Sequence, residues 1–117
     1  MSNEKPILEI DSNGTKRWYL NDELHREDGP AVEYVDDDKF WYLYGKFHRE
    51  DGPAAEYVNG NKRWFLNGKR HREDGPAIEY ADGEKRWYLH DENVTEKVEK
   101  LMKEGLTEIE ALSFLLL

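Results

Sequence analysis

The string HREDGPA stands at His25–Ala31, at His48–Ala54 and at His71–Ala77 without a changed letter. Its residue types could do chemistry. An imidazole beside carboxylates can act as a general base, and the same groups can ligate a divalent metal ion. Either use requires each copy to work alone. If every repeat adds two strands, equivalent histidines lie roughly 9–10 Å apart, too far to share one ion at ligand distances of about 2 Å. No nucleophile accompanies the string: Ser2, Ser12 and Ser113 lie outside the repeats, and the chain has no cysteine. The expectation is therefore no catalytic residue, no metal site and no cofactor.

A structural use accounts for every letter of the string. Asp-Gly makes a turn that draws on glycine's conformational freedom, and proline fixes φ where the chain leaves it. Alanine then enters a strand crowded by aromatic neighbours. His and Arg are expected to donate to backbone carbonyls or to the Glu-Asp of the adjacent copy, giving a ladder along the stack. A constellation that recurs three times points to a recurring structural need, so the string reads as a joint.

The elements that hold these joints repeat with them. Trp18, Trp41, Trp64 and Trp87 are spaced 23 residues apart. The units run over 16–38, 39–61 and 62–84, with a truncated copy at 85–90. A degenerate half-unit at 6–15, PILEIDSNGT, has Pro6 and Glu9 matching Pro30 and Glu33 if its turn is one residue longer. Asn59-Gly60 and Asp82-Gly83 suit two-residue hairpin turns, which pair Glu56 with Arg63, Ala55 with Trp64 and Tyr57 with Lys62. The third hairpin repeats this as Glu79–Arg86, Ile78–Trp87 and Tyr80–Lys85.

Alternation then collects the tryptophans, Leu20, Leu43, Leu66 and Leu89, and Tyr34, Tyr57 and Tyr80 on a core face. Base or sugar stacking on the tryptophans is the less favoured use, since leucines share their face. The opposite face carries Tyr19, Tyr42, Phe65 and Tyr88 among Arg17, Arg63, Arg86 and the glutamates. After Leu89 the pattern breaks. Asn93-x-x-Glu96 reads as a capping box opening a helix with Val94, Val98, Leu101 and Met102 on one stripe and Gly105 at its end. Thr107-x-x-Glu110 opens a second, leucine-rich helix. The fold class expected is mainly β: stacked β-hairpin repeats in one elongated antiparallel sheet over 1–91, closed by a C-terminal α-helical cap over 92–117.

With 117 residues, 38% of them hydrophobic and 37% charged, the chain has the material for one domain whose aromatics carry the core. It opens without a signal-peptide pattern and holds no run of transmembrane length. The expected setting is the cytoplasm. The net charge of −9 disfavours nucleic acid and anionic membranes and favours a partner with a basic patch. More than half of it lies in the first full repeat, which contributes −5. Asp36-Asp37-Asp38 in that repeat reads as a solvated turn in preference to a calcium site.

The stretch WFLNGKRHREDGPAIEY, Trp64–Tyr80, resembles the short hairpin repeats related to MORN motifs, found in bacterial antitoxin-like families and in phage and giant-virus proteins. The resemblance covers about residues 6–90. Departures are the 23-residue unit, Asp22-Glu23 and Tyr44-Gly45 where the third repeat has Asn67-Gly68, and the helical C-terminal segment. It implies a scaffold or binding protein without catalytic residues. The leading expectation is a non-enzymatic protein-binding module, a phage-encoded inhibitor that blocks a host or defence protein sterically. A structural protein forming homo-oligomers through the sheet edge and C-terminal helix is the alternative, and a metal-dependent hydrolase using the His-Arg-Glu-Asp groups is the third reading. Identical joints offer a unique partner nothing to single out. The candidate partner-binding residues are therefore Tyr19, Tyr42, Phe65 and Tyr88 on the open face, with Asp22, Glu23, Asp36, Asp37 and Asp38 from the acidic repeat.

Overall fold

The computed structural model describes residues 4–117. The first unit contains β1 (Ile7–Ile10), β2 (Lys16–Leu20) and β3 (Glu23–Leu24). The second contains β4 (Val32–Glu33), β5 (Lys39–Phe40), β6 (Tyr42–Leu43) and β7 (Lys46–Phe47). The third has β8 (Ala55–Glu56), β9 (Lys62–Arg63), β10 (Phe65–Leu66) and β11 (Lys69–Arg70). The fourth has β12 (Ile78–Glu79), β13 (Lys85–Arg86), β14 (Tyr88–Leu89) and β15 (Glu92–Asn93), followed by helices α1 (Thr95–Lys103) and α2 (Glu108–Leu115). The protein is mainly β, as its periodicity predicts.

One antiparallel sheet runs the length of the stack in the order β1-β2-β4-β5-β8-β9-β12-β13, with β3 paired to β2. Three further two-stranded pairs, β6–β7, β10–β11 and β14–β15, stand apart from it. The expected continuous strand through each tryptophan survives only in β2; in later units it breaks at Trp41, Trp64 and Trp87. Each unit therefore makes two hairpins, one in the long sheet and one beyond the tryptophan. The molecule measures 52 × 37 × 18 Å, a slab rather than a ball.

The register in the long sheet is one residue away from the expected one: Ala55 faces Arg63 and Glu56 faces Lys62, as Ile78 faces Arg86 and Glu79 faces Lys85. The cause is the turn. The amide of Tyr57 donates to the Asn61 carbonyl and that of Gly60 to the Tyr57 carbonyl, leaving three loop residues with Gly60 at φ +100°. This is a type I turn followed by a left-handed residue, not the two-residue turn that Asn-Gly suggests. Asn59 helps to set it by accepting from the Asn61 amide, as Asp36 does from Asp38 and Asp82 from Glu84. In the first full repeat Asp37 holds the glycine's place at φ +75°.

The half-unit has the same turn, closed by Asp11 and Thr15. Ile7 and Ile10, not Pro6 and Glu9, therefore occupy the places of Pro30 and Glu33.

A one-residue shift exchanges the faces. Val32, Phe40, Ala55, Arg63, Ile78 and Arg86 lie on one side together with Tyr34, Tyr57 and Tyr80, which are thus removed from the tryptophan face. The other side alternates Lys16, Glu33, Lys39, Glu56, Lys62, Glu79 and Lys85 across the rungs.

The second row of hairpins turns at Asn21-Asp22, Tyr44-Gly45, Asn67-Gly68 and His90-Asp91, each pair with both φ angles positive. The equivalent of Asn67-Gly68 in the first repeat is thus Asn21-Asp22, and Glu23 already belongs to β3. Successive hairpins are tied by backbone bonds: the Gly45 amide donates to Leu24, Gly68 to Phe47 and Asp91 to Arg70.

Between the rows Ala31, Ala54 and Ala77 are fully buried, which is why no larger residue follows the proline. Trp18, Trp41 and Trp64 are only half-buried, so the expected tryptophan core is restricted to Trp87. That residue is covered by the helices, in a cluster with Leu89, Val94, Val98, Ala111 and Leu112. Its amide donates to Thr95 Oγ1 and its indole N–H to Glu108 at 2.9 Å.

The Thr107–Glu110 capping box forms with both bonds. The one expected at Asn93 does not. Asn93 lies in β15 and its Oδ1 accepts the Thr95 amide at the start of α1 in place of the Glu96 amide, Val94 precedes the helix without a side-chain cap, and Met102 is exposed.

Trp87→Ala is expected to cost about 3–5 kcal/mol, as for other fully packed large aromatics, and the half-buried Trp41→Ala distinctly less. Urea unfolding of the two variants side by side measures the difference.

Candidate functional site

The three joints are built alike around an arginine. Arg26, Arg49 and Arg72 lay their guanidinium groups 3.9 Å from the ring centroids of Trp18, Trp41 and Trp64. In each, Nε donates to the aspartate two residues on, at 2.9–3.0 Å. Nη1 donates to the carbonyl of the proline four residues on at 3.1 Å. In the second and third joints Nη1 also reaches Glu56 and Glu79 at 3.1 and 2.9 Å. The planar fork of arginine can stack and donate in this way at once, which lysine cannot.

Gly29, Gly52 and Gly75 sit under that fork. A Cβ on them would come within 2.9, 3.0 and 2.7 Å of the arginine Cζ. Their φ angles are not in the left-handed region, so space and not turn conformation demands glycine here.

The histidines act in the direction opposite to the expected one. Nδ1 of His25, His48 and His71 accepts the backbone N–H of Tyr44, Asn67 and His90, each in the following hairpin, at 2.8–2.9 Å. Nδ1 is therefore unprotonated, and the ring's proton sits on Nε2, which in the third joint meets Glu73 at 2.8 Å. The Glu and Asp partners belong to the same copy, not to the adjacent one; of the joint's side chains it is the histidine that reaches the next repeat, beside the arginine's backbone amide, which donates to the carbonyl of Tyr42, Phe65 or Tyr88. The histidine Nδ1 atoms and the arginine forks are thus engaged in holding the chain, while Glu27 and Glu50 are largely exposed.

Open grooves of about 860, 630 and 600 Å³ lie beside the joints, with Trp18, Trp64 and Trp41 in their respective walls. Among the described residues no three His, Asp or Glu side chains gather as a metal ion would require.

The sheet face opposite the joints carries a connected set of half-exposed rings. Tyr42 stacks on Phe47 at 4.4 Å between centroids, and Phe47 on Phe65 at 4.8 Å. Phe40 meets Phe47, Tyr34 and Tyr57 edge-on at 5.3–5.9 Å. Burial raises the Tyr42 phenol above its ordinary pKa, and the neighbouring phenols of Tyr34 and Tyr57 add to this.

Arginines punctuate the rings: Arg17 lies over Tyr34, Arg63 over Tyr57, Arg86 over Tyr80 and Arg70 over Tyr88. Arg17, Arg70 and Arg86 are paired with Asp11, Asp91 and Glu84. Arg63 has no carboxylate partner among the described residues, and its buried Nε has no hydrogen-bond partner.

Of the candidate residues the structure brings Tyr42 and Phe65 together through Phe47. Tyr88 joins the row by way of Arg70, whereas Tyr19 stands at the first hairpin opposite Ile7 and Leu24. Phe40 and Phe47 are not among the expected residues; the three-residue turn is what brings Phe40 to this face.

The acidic candidates separate. Asp22 and Glu23 lie at the tip of the β2–β3 hairpin, and Asp36, Asp37 and Asp38 at the turn beyond the opposite end of the strands, so the sheet's width stands between them. Asp38 is also structural: its carboxylate accepts the Val58 amide of the next unit at 2.7 Å.

Comparison with protein-family models, with curated proteins and with solved structures finds no match to this chain. The resemblance to MORN-like repeats thus stands on the residues alone. No helix is long and apolar enough to cross a membrane among the described residues.

Gly75→Ala should destabilise by about 1–3 kcal/mol, because its methyl group displaces Arg72 from Trp64. Thermal melting beside Gly83→Ala, where a Cβ meets nothing within 4 Å but the backbone is left-handed, separates crowding from strain through any change in indole fluorescence.

Asp91 gives a pH test. The hydrogen bond from Arg70 holds its carboxyl below the ordinary value of 3.8, and the Arg70 amide adds to this. A depressed carboxylate stabilises the fold above its unfolded value and loses that contribution as pH falls through the folded one. Asp91→Asn should therefore be less stable than the parent at neutral pH, the gap closing as pH drops below the usual aspartate range in urea titrations.

Proposed function

We propose that this chain is a non-enzymatic binding scaffold of the MORN-like kind, which offers its aromatic–arginine face to a protein partner and inhibits that partner by steric blockade. The observation that carries this reading is the connected row Tyr42–Phe47–Phe65 with Phe40, Tyr34 and Tyr57, half-exposed on one face of the slab. Rigid aromatics with arginines among them are the residue types that anchor protein interfaces. The partner's contact surface is apolar at its centre, with a carboxylate opposite Arg63. A basic rim would meet Asp36 and Asp37 on one edge of the slab or Asp22 and Glu23 on the other. A cytoplasmic setting, in a host cell if the chain is phage-encoded, suits a protein without cysteine.

Capture from lysate of the source cells, with mass spectrometry, tests the reading. A partner held by the parent chain should be lost with Tyr42→Ala and weakened by Arg63→Gln, both variants melting as cooperatively as the parent. It should be retained by Glu50→Gln on the joint side. A partner lost only with the joint-side variant would move the interface to the tryptophan grooves and overturn this proposal.

A further inference from the structure

We propose that β1 is a self-association edge: it pairs antiparallel with β1 of a second copy across a two-fold axis at Leu8, joining two long sheets into one. The strand lies at the end of the long sheet and, among the described residues, pairs only with β2. All four of its residues are exposed, with Ile7 at 69%, Leu8 at 43% and Ile10 at 59%. A strand with an unpaired outer row of amides and carbonyls is a template for another strand.

The hydrogen-bond alternation fixes which groups are free. The Asp11 amide donates to Thr15 in β2's direction, so Glu9 and Ile7 also face β2, whereas Leu8 and Ile10 turn their N–H and C=O groups outward.

The opposite end of the stack rules out head-to-tail growth. Each internal hairpin docks by donating a turn amide to the preceding repeat's histidine Nδ1. At the last unit the residue in the histidine's place is Val94, which has no acceptor side chain, and the helices pack there against Trp87 and Leu89. The sheet edge at that end is β13, two residues long, where the Trp87 amide is already taken by Thr95 Oγ1 and the Lys85 carbonyl by Arg86, so a first unit brought there finds no histidine acceptor and too short an edge to pair with. Head-to-head pairing remains, and it closes as a dimer.

The register follows from the side chains. Centring on Leu8 sets Leu8 against its own copy, Ile7 against Glu9, Pro6 against Ile10 and Lys5 against Asp11. The central pair then exchanges both bonds, and Pro6, which has no N–H, needs only to accept from Ile10. Centring on Glu9 would oppose two carboxylates. Centring on Ile7 would put Pro6 opposite Leu8 and remove one bond from each pair beside the axis.

Sedimentation of the full chain over a wide concentration series should show conversion from one chain to two. Leu8→Pro, which removes only an outward amide, should remain a single chain with the parent's circular dichroism and melting. Phe114→Glu, which alters the exposed helical surface, should dimerise as the parent does. Because the chain has no cysteine, Leu8→Cys oxidised with diamide should form a cross-linked pair, the two thiols giving up two electrons and two protons to the diamide, while Ile10→Cys should not. A parent chain that stays single throughout, or one whose dimer is lost with Phe114→Glu and kept by Leu8→Pro, overturns the proposal. Cross-linking through Ile7→Cys in place of Leu8→Cys overturns the register.

Discussion

An arginine lying flat on a tryptophan holds each turn of this chain in place. Past each tryptophan the chain makes a second hairpin, and in all but the last unit it must come back to start the next rung. The return path is the HREDGPA segment, and the guanidinium fork joins its beginning to its end through the aspartate and the proline carbonyl. The same group covers the indole face that the slab is too thin to bury. Glycine beneath the fork, alanine in the tight space between the rows and proline with its free carbonyl follow from that one contact. The histidine adds the step the arginine cannot make, linking one unit's joint to the next unit's turn.

Where the arginine is absent, other groups take its place. In the last unit Val94 and Thr95 occupy the positions of histidine and arginine. Thr95 Oγ1 accepts from the Trp87 amide, as alanine carbonyls do elsewhere, and Glu108 bonds the indole N–H. The helices are thus a substitute for a fourth joint as well as a cover, and they make Trp87 the one tryptophan of the set that is fully packed. Among the described residues the first unit has no such substitute at its edge strand.

Much of this was legible from spacing. The 23-residue period, the hairpins, the joint role of HREDGPA, the Thr107 cap and the helical closure follow from residue types at fixed offsets. What escaped was set by single residues in context. Asn59-Gly60 favours two turn types, and the three-residue one is selected when Asn59 bonds the Asn61 amide, a choice that moves every later rung by one. The arginine's stacking joins residues eight apart through a bend, which periodicity does not encode. It also gave the glycine a reason other than its φ. For the candidate face, alternation puts Tyr42 and Phe65 on one side, and the structure joins them through Phe47, whereas nearness in sequence groups acidic residues that the strands carry to opposite edges.

The central claim is that arginine and tryptophan act as one unit in every joint. A double-mutant cycle on Arg49→Lys and Trp41→Leu, followed by urea unfolding, measures it directly. Lysine keeps the charge but loses the stacked fork, and the account predicts a favourable coupling of about 1–2 kcal/mol between the two positions. Additive losses, with no coupling beyond error, would contradict it.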